Sequence, residues 1–257
     1  MEAIPAFELN NVSLSFGDVS LFEKLNLTVN QGETLGLIGP SGSGKSILLK
    51  IMAGLKVADS GRVRVFGKEI KTWESSDRVG FRRRVQMTFQ KSGLFDSLSC
   101  RDNLELALRE LLPLSQDERE KRILQVLADV GLLGMQDLMP SQMSGGMQKR
   151  LGIARAIALH PEVVLYDEPT AGLDPITSRT LFNLIQQMKK KYQMTVVLVT
   201  SDPLAAIPLC DRFAFLYQGK IQSIESPEKM KQSTDPAVKQ FLWGMLDGPL
   251  SVERSLL

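Results

Sequence analysis

GPSGSGKS, at residues 39–46, follows the pattern G-x-x-x-x-G-K-[ST]. Gly39, Gly42 and Gly44 let the backbone turn tightly and present successive N–H groups to phosphate oxygens. Residues 34–38 (TLGLI) predict a buried strand before the loop, and residues 46–53 (SILLKIMA) predict a helix after it, whose N-terminus favours an anion. The stretch therefore predicts a phosphate-binding loop between a strand and a helix.

The same pattern assigns roles to side chains of this phosphate loop. Lys45 reaches the β- and γ-phosphates of a nucleotide, and Ser46 offers its hydroxyl to Mg²⁺. The expected nucleotide-binding residues of the loop are Gly39, Ser41, Gly42, Ser43, Gly44, Lys45, Ser46 and Ile47. An accidental GKS in a glycine-rich turn is the alternative, and the motifs below argue against it.

An apolar run that ends in two acids, VVLYDE at residues 163–168, is the second motif. A central parallel strand has this character when it delivers carboxylates to the carboxyl edge of a sheet. We expect Asp167 to hold Mg²⁺, directly or through water, and Glu168 to polarise the water that attacks the γ-phosphorus. Standing alone, the acids could instead form a turn that caps a strand, but the phosphate loop upstream favours catalysis.

Residues 144–148 (SGGMQ), here called the signature segment, precede a predicted helix over 148–159. A serine hydroxyl, two glycine amides and a helix N-terminus make a second anion-binding site. With this third motif the chain resembles the ATP-binding cassette (ABC) ATPases, the motor subunits of ABC transporters, whose signature reads LSGGQ. The resemblance covers nearly the whole chain.

The resemblance implies an α/β fold: a P-loop NTPase (RecA-like) core with an antiparallel β subdomain and an inserted helical subdomain. It also implies that the chain hydrolyses ATP with Mg²⁺ as a head-to-tail homodimer, in which the signature segment completes the partner's nucleotide site. The residues carried over for that contact are Ser144, Gly145, Gly146 and Gln148.

Two further residues and one loop match the family. Phe16 stands where an aromatic ring, more often Tyr, stacks on adenine, although a core aromatic at the end of a strand is the simpler explanation of that residue alone. Gln90 matches the glutamine that contacts Mg²⁺ and the attacking water and connects to the helical subdomain. Residues 172–174 (GLD) match a loop that communicates across the dimer.

One position departs from the family pattern. After the predicted strand at 195–200, the family places a histidine that contacts the γ-phosphate, whereas this chain has Ser201. Serine is shorter than histidine and carries no positive charge. If one transition-state contact is lost with the histidine, ATP hydrolysis is expected to be slower than in a histidine-containing relative by on the order of 10²-fold. The single histidine, His160, follows the predicted signature helix, where a C-terminal cation or a solvent-facing residue explains it.

Composition bounds the remaining possibilities. A chain of 257 residues with 43% hydrophobic and 23% charged residues is an ordinary globular protein. The net charge of +2 gives no argument for a nucleic-acid partner, and the basic runs at residues 82–84 and 189–191 are interpreted as solvated faces. Cys100 and Cys210 offer no metal-ligand spacing or disulfide framework, so we expect reduced thiols.

No apolar stretch approaches the length needed to span a bilayer, and the first residues lack the pattern of a signal peptide. A membrane channel would therefore belong to another polypeptide. We expect the chain on the cytoplasmic side of the bacterial inner membrane, held there by the permease.

Periodicity predicts the domain organisation. Alternating residues at 7–16 and 25–29 predict an antiparallel layer, and residues 102–112 and 117–130 predict helices of the helical subdomain. A helix over 175–190 is expected behind Asp174 as N-cap. The expected division is a core with β layer at 1–92 and 160–226, a helical subdomain at 93–159 and a C-terminal extension at 227–257.

The resemblance sharpens towards the Mla-type ATPases, which move phospholipids together with MCE-domain proteins. It rests on residues 89–99 (FQKSGLFDSLS), residues 108–110 (LRE), Met147, residues 174–177 (DPIT) and residues 241–249 (FLWGMLDGP). In that branch the cassette works beneath two permease subunits, and a STAS-domain protein can bind its helical face. A solute importer, or an ATP-binding switch with weak hydrolysis, remains an alternative; a GTPase is not, since the chain lacks an NKxD-type guanine reader.

Two groups of apolar residues, one in the loop after residue 90 and one near the C-terminus, each have two possible explanations. Leu94 and Phe95 lie in an otherwise polar loop that receives a permease helix in the family, but both could tuck beneath the helical lobe instead. Apolar residues at 241–246 predict that the C-terminal segment docks on the dimer partner. A flexible end, with 247–249 terminating a helix, is the alternative.

Overall fold

A computed structural model describes residues 4–70, 75–90 and 92–250. Within these ranges the chain divides into two compact units: residues 4–70 and 197–250 form the first, and residues 75–90 and 92–196 form the second. Part of the expected C-terminal extension (251–257), one residue of the expected permease-facing loop (Lys91) and residues 1–3 and 71–74 lie outside the described residues.

The strands, in chain order, are β1 (Phe7–Phe16), β2 (Val19–Val29), β3 (Thr34–Ile38), β4 (Ser60–Val65), β5 (Lys68–Glu69), β6 (Val85–Thr88), β7 (Val163–Asp167), β8 (Thr195–Val199), β9 (Arg212–Tyr217) and β10 (Lys220–Glu225). The helices are α1 (Lys45–Met52), α2 (Ser75–Arg84), α3 (Cys100–Leu111), α4 (Gln116–Asp129), α5 (Gly145–Ile157), α6 (Pro175–Tyr192), α7 (Pro203–Ala206), α8 (Pro227–Lys231) and α9 (Pro236–Trp243). A short 3-10 helix covers Pro140–Gln142. The boundary between the units falls inside β8.

The first unit contains an antiparallel sheet in the order β2-β1-β4-β5. Phe7 lies opposite Val29 on one side and opposite Val65 on the other. These three side chains are buried, as the alternation of apolar and polar residues requires when one face of a sheet packs on a core. The expected antiparallel layer is confirmed, and β2 is longer than predicted.

The first unit also contains β3, which runs parallel to β9, with Leu37 opposite Ala214, while β10 pairs antiparallel with β9. Every residue of β3 is buried, so this strand holds the start of the phosphate loop rigidly. Gly39 has φ +148°, and a Cβ there would lie 2.1 Å from the carbonyl oxygen of Leu216. Only glycine fits this close backbone approach.

The second unit combines the parallel pair β6 and β7 with the helices α2 to α6. Predicted helices are confirmed, but two of them begin two or three residues earlier than the periodicity suggested. Ser99 caps α3, and Ser144 caps α5, in each case by accepting a hydrogen bond from a backbone N–H. The glycines of the signature segment are therefore the first helical residues of α5.

Asp174 caps α6 as predicted, with its Oδ1 accepting from the backbone N–H groups of Ile176 and Thr177 at 2.9 and 3.0 Å. The C-terminal segment corrects an expectation. Its helix α9 ends at Trp243, and Gly244 follows in the left-handed conformation at φ +62°, so residues 247–249 do not terminate it. Across the described ranges, no helix has the length and apolarity to cross a bilayer.

Candidate active site

The phosphate loop runs directly into α1. Gly44 is the N-cap of that helix at φ +97°, and a Cβ there would lie 2.7 Å from the Phe22 ring. The Lys45 ammonium donates hydrogen bonds to the carbonyl oxygens of Gly39 and Pro40, at 2.8 and 2.9 Å. Lys45 is thus folded over its own loop.

The loop fits a phosphate group. Ser43 Oγ is buried and finds no hydrogen-bond partner within the described residues, which is unusual for a buried hydroxyl. Gly42 has φ +77° and nothing within 4 Å of a hypothetical Cβ, so the backbone at the tip of the loop stays accessible. The Ser43 hydroxyl, the accessible backbone at Gly42 and the Lys45 ammonium are together suited to binding an oxyanion.

Phe16 ends β1, and 50% of its surface is exposed. The Lys56 ammonium lies 4.9 Å from the centroid of its ring. This exposure contradicts the interpretation of Phe16 as a core aromatic. It leaves ring surface open for stacking on a base.

Ser201 follows β8 in the same unit as Phe16 and the phosphate loop, and it is exposed. Its neighbours define the local backbone. Thr200 Oγ1 accepts from the backbone N–H of Asp202 at 3.0 Å, and Asp202 Oδ1 accepts from that of Ala205 at 3.0 Å. The chain therefore turns sharply after β8 and presents position 201 to solvent.

The paired acids lie in the second unit. Asp167 is the last residue of β7 and is buried, and Glu168 follows it at φ +47°. A non-glycine residue in this left-handed region costs about 1–3 kcal/mol, and such strain collects at functional sites. The chain therefore turns sharply at Glu168, directly after the buried Asp167.

Sequence reasoning missed Lys149, which lies on the second turn of α5. The Lys149 ammonium donates a hydrogen bond to the carbonyl oxygen of Gln90. Burial lowers the pKa of Lys149, and the Glu168 carboxylate opposes that lowering. Within the second unit, the structure therefore joins Lys149 to Gln90 by a hydrogen bond and places Glu168 where its charge acts on Lys149.

The signature segment occupies the start of α5. Ser144 Oγ accepts from the backbone N–H of Met147 at 3.3 Å, and Ser144 and Gly145 are exposed. A Cβ at Gly146 would lie 3.3 Å from Thr177 Cγ2, so this position is close-packed. The side-chain amide of Gln148 donates to the carbonyl oxygens of Pro140 and Met143, at 2.9 and 3.3 Å.

The donor set expected for Mg²⁺ has suitable chemistry. Ser46, Gln90 and Asp167 supply a hydroxyl, an amide oxygen and a carboxylate, the hard oxygen ligands that Mg²⁺ prefers. In the described part of the chain, no three His, Cys, Asp or Glu side chains cluster as a metal site. Mg²⁺ bound together with nucleotide phosphates does not need such a cluster, because phosphates and water complete its shell.

Comparison with known proteins decides the family. Residues 22–171 match the family model described as ABC transporter. This chain is an ABC transporter ATPase. The family assignment confirms the resemblance inferred from the phosphate loop, the signature segment and the paired acids. Hydrolysis of ATP in this family is coupled to transport.

Two relatives of the cassette match along almost its whole length. One is Protein TRIGALACTOSYLDIACYLGLYCEROL 3, chloroplastic, of Arabidopsis thaliana, which is 39% identical over 95% of this chain and 75% of that protein. The other is the intermembrane phospholipid transport system ATP-binding protein MlaF of Escherichia coli strain K12, which is 35% identical over 95% of this chain and 90% of that protein.

Solved structures confirm the fold class of the cassette. The dimeric post-hydrolysis structure of the ATP-binding cassette MJ0796, bound to ADP and Pi, has a TM-score of 0.78 and 31% identity. The match covers 86% of this chain and 98% of that one. It supports nucleotide binding by the cassette as well as the expected P-loop architecture.

The loop after β6 shows whether its apolar side chains are exposed or tucked beneath the helical lobe. Phe95 is 42% exposed, and the Arg155 guanidinium carbon lies 4.6 Å from the centroid of its ring. Phe95 is therefore not tucked beneath the helical lobe, whereas Leu94 is half-buried. The exposure of Phe95 favours the interpretation of this loop as a binding socket.

Proposed function

We propose that this cassette drives the movement of phospholipids between membranes, as the ATP-hydrolysing subunit of an MCE-type transport system. The observation that carries the proposal is the match to MlaF over 90% of that protein, whose name states intermembrane phospholipid transport. The Arabidopsis relative supports it, because that protein is named after a galactolipid.

The proposed assembly is a head-to-tail homodimer on the cytoplasmic side of a bacterial inner membrane. It binds integral permease subunits, an MCE-domain lipid-binding protein and, on its helical lobe, a STAS-domain protein. The dimeric MJ0796 structure supports pairing of cassettes. Within each subunit we propose a core at 1–92 and 160–226, a helical subdomain at 93–159 and a C-terminal extension at 227–257.

ATP is the proposed substrate, and the residues on each unit have separate tasks. Phe16 stacks on adenine, while Lys45 and the backbone of the phosphate loop bind the β- and γ-phosphates. Ser46, Gln90 and Asp167 hold Mg²⁺, which neutralises charge on the phosphates when bound. These side chains bind and orient the triphosphate.

Glu168 accepts a proton from water as the water oxygen attacks the γ-phosphorus. The bond from that phosphorus to the bridging oxygen breaks, so that ADP and inorganic phosphate are formed. The partner subunit's Ser144 and the partner subunit's Gly146 contact the γ-phosphate. Loss of these contacts after cleavage opens the interface and resets the transporter.

A second candidate function is solute transport. The probable ribonucleotide transport ATP-binding protein mkl of Mycobacterium bovis is 34% identical over 96% of this chain and 69% of that protein. The ATPase chemistry would be unchanged, because the transported molecule need not touch this subunit.

Co-purification distinguishes the two candidates. The tagged full-length chain is isolated from detergent-solubilised membranes, and bound polypeptides and lipids are identified by mass spectrometry. An MCE-domain protein with bound phospholipid is the expected result. A periplasmic solute-binding protein in its place would contradict the lipid assignment and favour an importer.

A further inference from the structure

One face of α5 lies along the loop that follows β6. Residues 149, 152 and 155 share this face, because positions three apart are neighbours on a helix. Lys149 and Arg155 donate hydrogen bonds to carbonyl oxygens of this loop. Between them, Gly152 faces Ser92.

Gly152 sets the distance between the helix and the loop. A Cβ at this position would lie 3.2 Å from both the Cβ and the carbonyl oxygen of Ser92, so a larger residue would push the loop away. Ser92 is buried and has φ +61°. Ser92 therefore lies directly against the middle of α5, with its backbone in the left-handed region.

Arg155 holds the far end of the loop. Its guanidinium donates to the carbonyl oxygen of Gly93 and lies over the ring of Phe95. A charged donor to a carbonyl is stronger than a neutral one, and the cation over an aromatic face adds to it. Gly152 and Arg155 therefore hold α5 close to residues 92, 93 and 95.

Lys149 holds the near end of the loop, closest to the catalytic residues. Its ammonium donates to the Gln90 carbonyl oxygen and also lies in the electrostatic field of Glu168. Ser144 and Gly145, at the start of the same helix, are exposed for contact with a second subunit. The start of α5 therefore carries the residues expected to contact the partner's nucleotide. The second turn of the same helix, at Lys149, lies beside Gln90 and Glu168, which act on this subunit's own nucleotide.

We propose that Lys149 is a positioning residue that couples the two nucleotide sites of the dimer. The inference rests on the proposed dimeric mechanism. When the signature segment of one subunit binds the partner's γ-phosphate, the position of α5 is fixed. Lys149 then fixes the Gln90 loop and the orientation of Glu168 in its own subunit. Occupation of one site thereby promotes hydrolysis at the other, so that turnover depends cooperatively on ATP concentration.

The test compares Lys149→Met, which keeps the length of the side chain but removes its charge, with Lys149→Arg, which retains a cation. Phosphate release by the full-length chain is measured over a range of ATP concentrations. We expect Lys149→Met to lower kcat about tenfold, a typical cost for a group that orients a catalytic residue. Its Hill coefficient should fall to about 1, since the coupling is lost.

Two variants make the result specific. Lys149→Arg should retain the wild-type Hill coefficient and most of kcat. Lys190→Met, which removes an exposed lysine of α6, should match the wild type throughout. If Lys149→Met fails to fold, Lys149→Gln replaces it, because glutamine still donates to the Gln90 carbonyl but lacks the charge that faces Glu168. Its Hill coefficient should also fall to about 1.

Wild-type cooperativity in a folded variant without the Lys149 charge would overturn the inference. Equal impairment of the Met and Arg variants would overturn it too, because packing rather than charge would then be responsible. A wild-type Hill coefficient of 1 would refute the coupling while leaving the ATPase assignment intact. A wild-type protein that neither hydrolyses ATP nor dimerises would instead refute the proposed function.

Discussion

The Tyr192 hydroxyl donates a 2.6 Å hydrogen bond to the Asp129 carboxylate, which joins the end of α6 to the end of α4. Lys191 donates to both oxygens of the same carboxylate, at 2.6 and 2.7 Å. Only 8% of the Asp129 side chain is exposed. Burial raises the pKa of Asp129, but the hydrogen bonds outweigh it and leave that pKa below its ordinary value.

Asp129→Asn should therefore destabilise the protein by about 1–3 kcal/mol at pH 7, since it replaces a charged acceptor in a buried network. Because the pKa of Asp129 is lower in the folded state, its contribution is complete above the unfolded value of about 4 and is lost as pH falls through the folded value. Melting temperatures of the variant and the wild type should differ from pH 8 to about 5 and converge at lower pH.

Glu110→Gln is a suitable control for this comparison, because Glu110 is exposed and forms an ion pair with its exposed neighbour Arg109. It should leave the melting temperature unchanged, as expected for a surface pair. An Asp129→Asn variant as stable as the wild type at pH 7 would contradict the structural role of the network.

Much of the fold could be predicted from sequence because its signals are local. The period of two in β1 and the cap at Asp174 each specify a structure from neighbouring residues. The helix starts at α3 and α5 were less well predicted, because the serine caps precede the apolar positions that reveal the period. Small elements such as β5 lack any periodic signal and were not predicted.

Charge runs and the histidine show what tertiary structure adds. The Arg84 and Lys191 side chains are exposed, as expected of solvated faces, and each also forms an ion pair, with Glu162 and Asp129 respectively. His160 lies 4.8 Å from Tyr192, ring centroid to ring centroid, and burial lowers its pKa. The lowered pKa disfavours the interpretation of His160 as a C-terminal cation, whereas its exposure agrees with that of a solvent-facing residue.

Motif spacing predicted the phosphate loop and the paired acids because the chemistry dictates those residues in order along the chain. Lys149 could not be found this way. Its partners, Gln90 and Glu168, are distant in sequence, and a lysine on the polar side of a helix carries no local signal.

Glu168→Gln should lower the rate of ATP hydrolysis by about 10²–10³-fold, because glutamine cannot accept the proton of the attacking water. ATP affinity, measured by equilibrium dialysis, should stay within about twofold of the wild type, since the phosphate loop supplies the binding contacts. Glu162→Gln, just before the same strand, should hydrolyse normally. A normal rate in Glu168→Gln would refute its assignment as the base.

Ser201→His should raise kcat by about tenfold or more if serine forfeits a transition-state contact to the γ-phosphate. The exposed position after β8 accommodates a larger side chain. Ser201→Ala is the matched control and should change kcat by less than about threefold, because neither serine nor alanine supplies a cation to the γ-phosphate. Phosphate release at saturating ATP gives kcat for the wild type and both variants. An unchanged kcat in Ser201→His would refute the argument that Ser201 limits the rate.

The C-terminal segment should contribute to dimerisation through exposed apolar side chains. The Gln240 side chain bonds both the N–H and the carbonyl of Leu250, at 2.7 and 3.2 Å, and holds the segment in a defined path. That path leaves Trp243 and Leu246 exposed, the latter by 98%. Apolar side chains held open in this way are suited to an interface.

The double variant Trp243→Ser, Leu246→Ser should weaken ATP-dependent dimerisation by at least about tenfold, because aromatic anchors dominate interfaces. Light scattering in the Glu168→Gln background, where ATP is not consumed, measures the dissociation constant. Leu133→Ser, an exposed apolar position in the second unit, is the control and should leave it unchanged. Deletion of all residues after 240 should have the larger effect, and unchanged dimerisation in both variants would show that the segment does not dock on the partner.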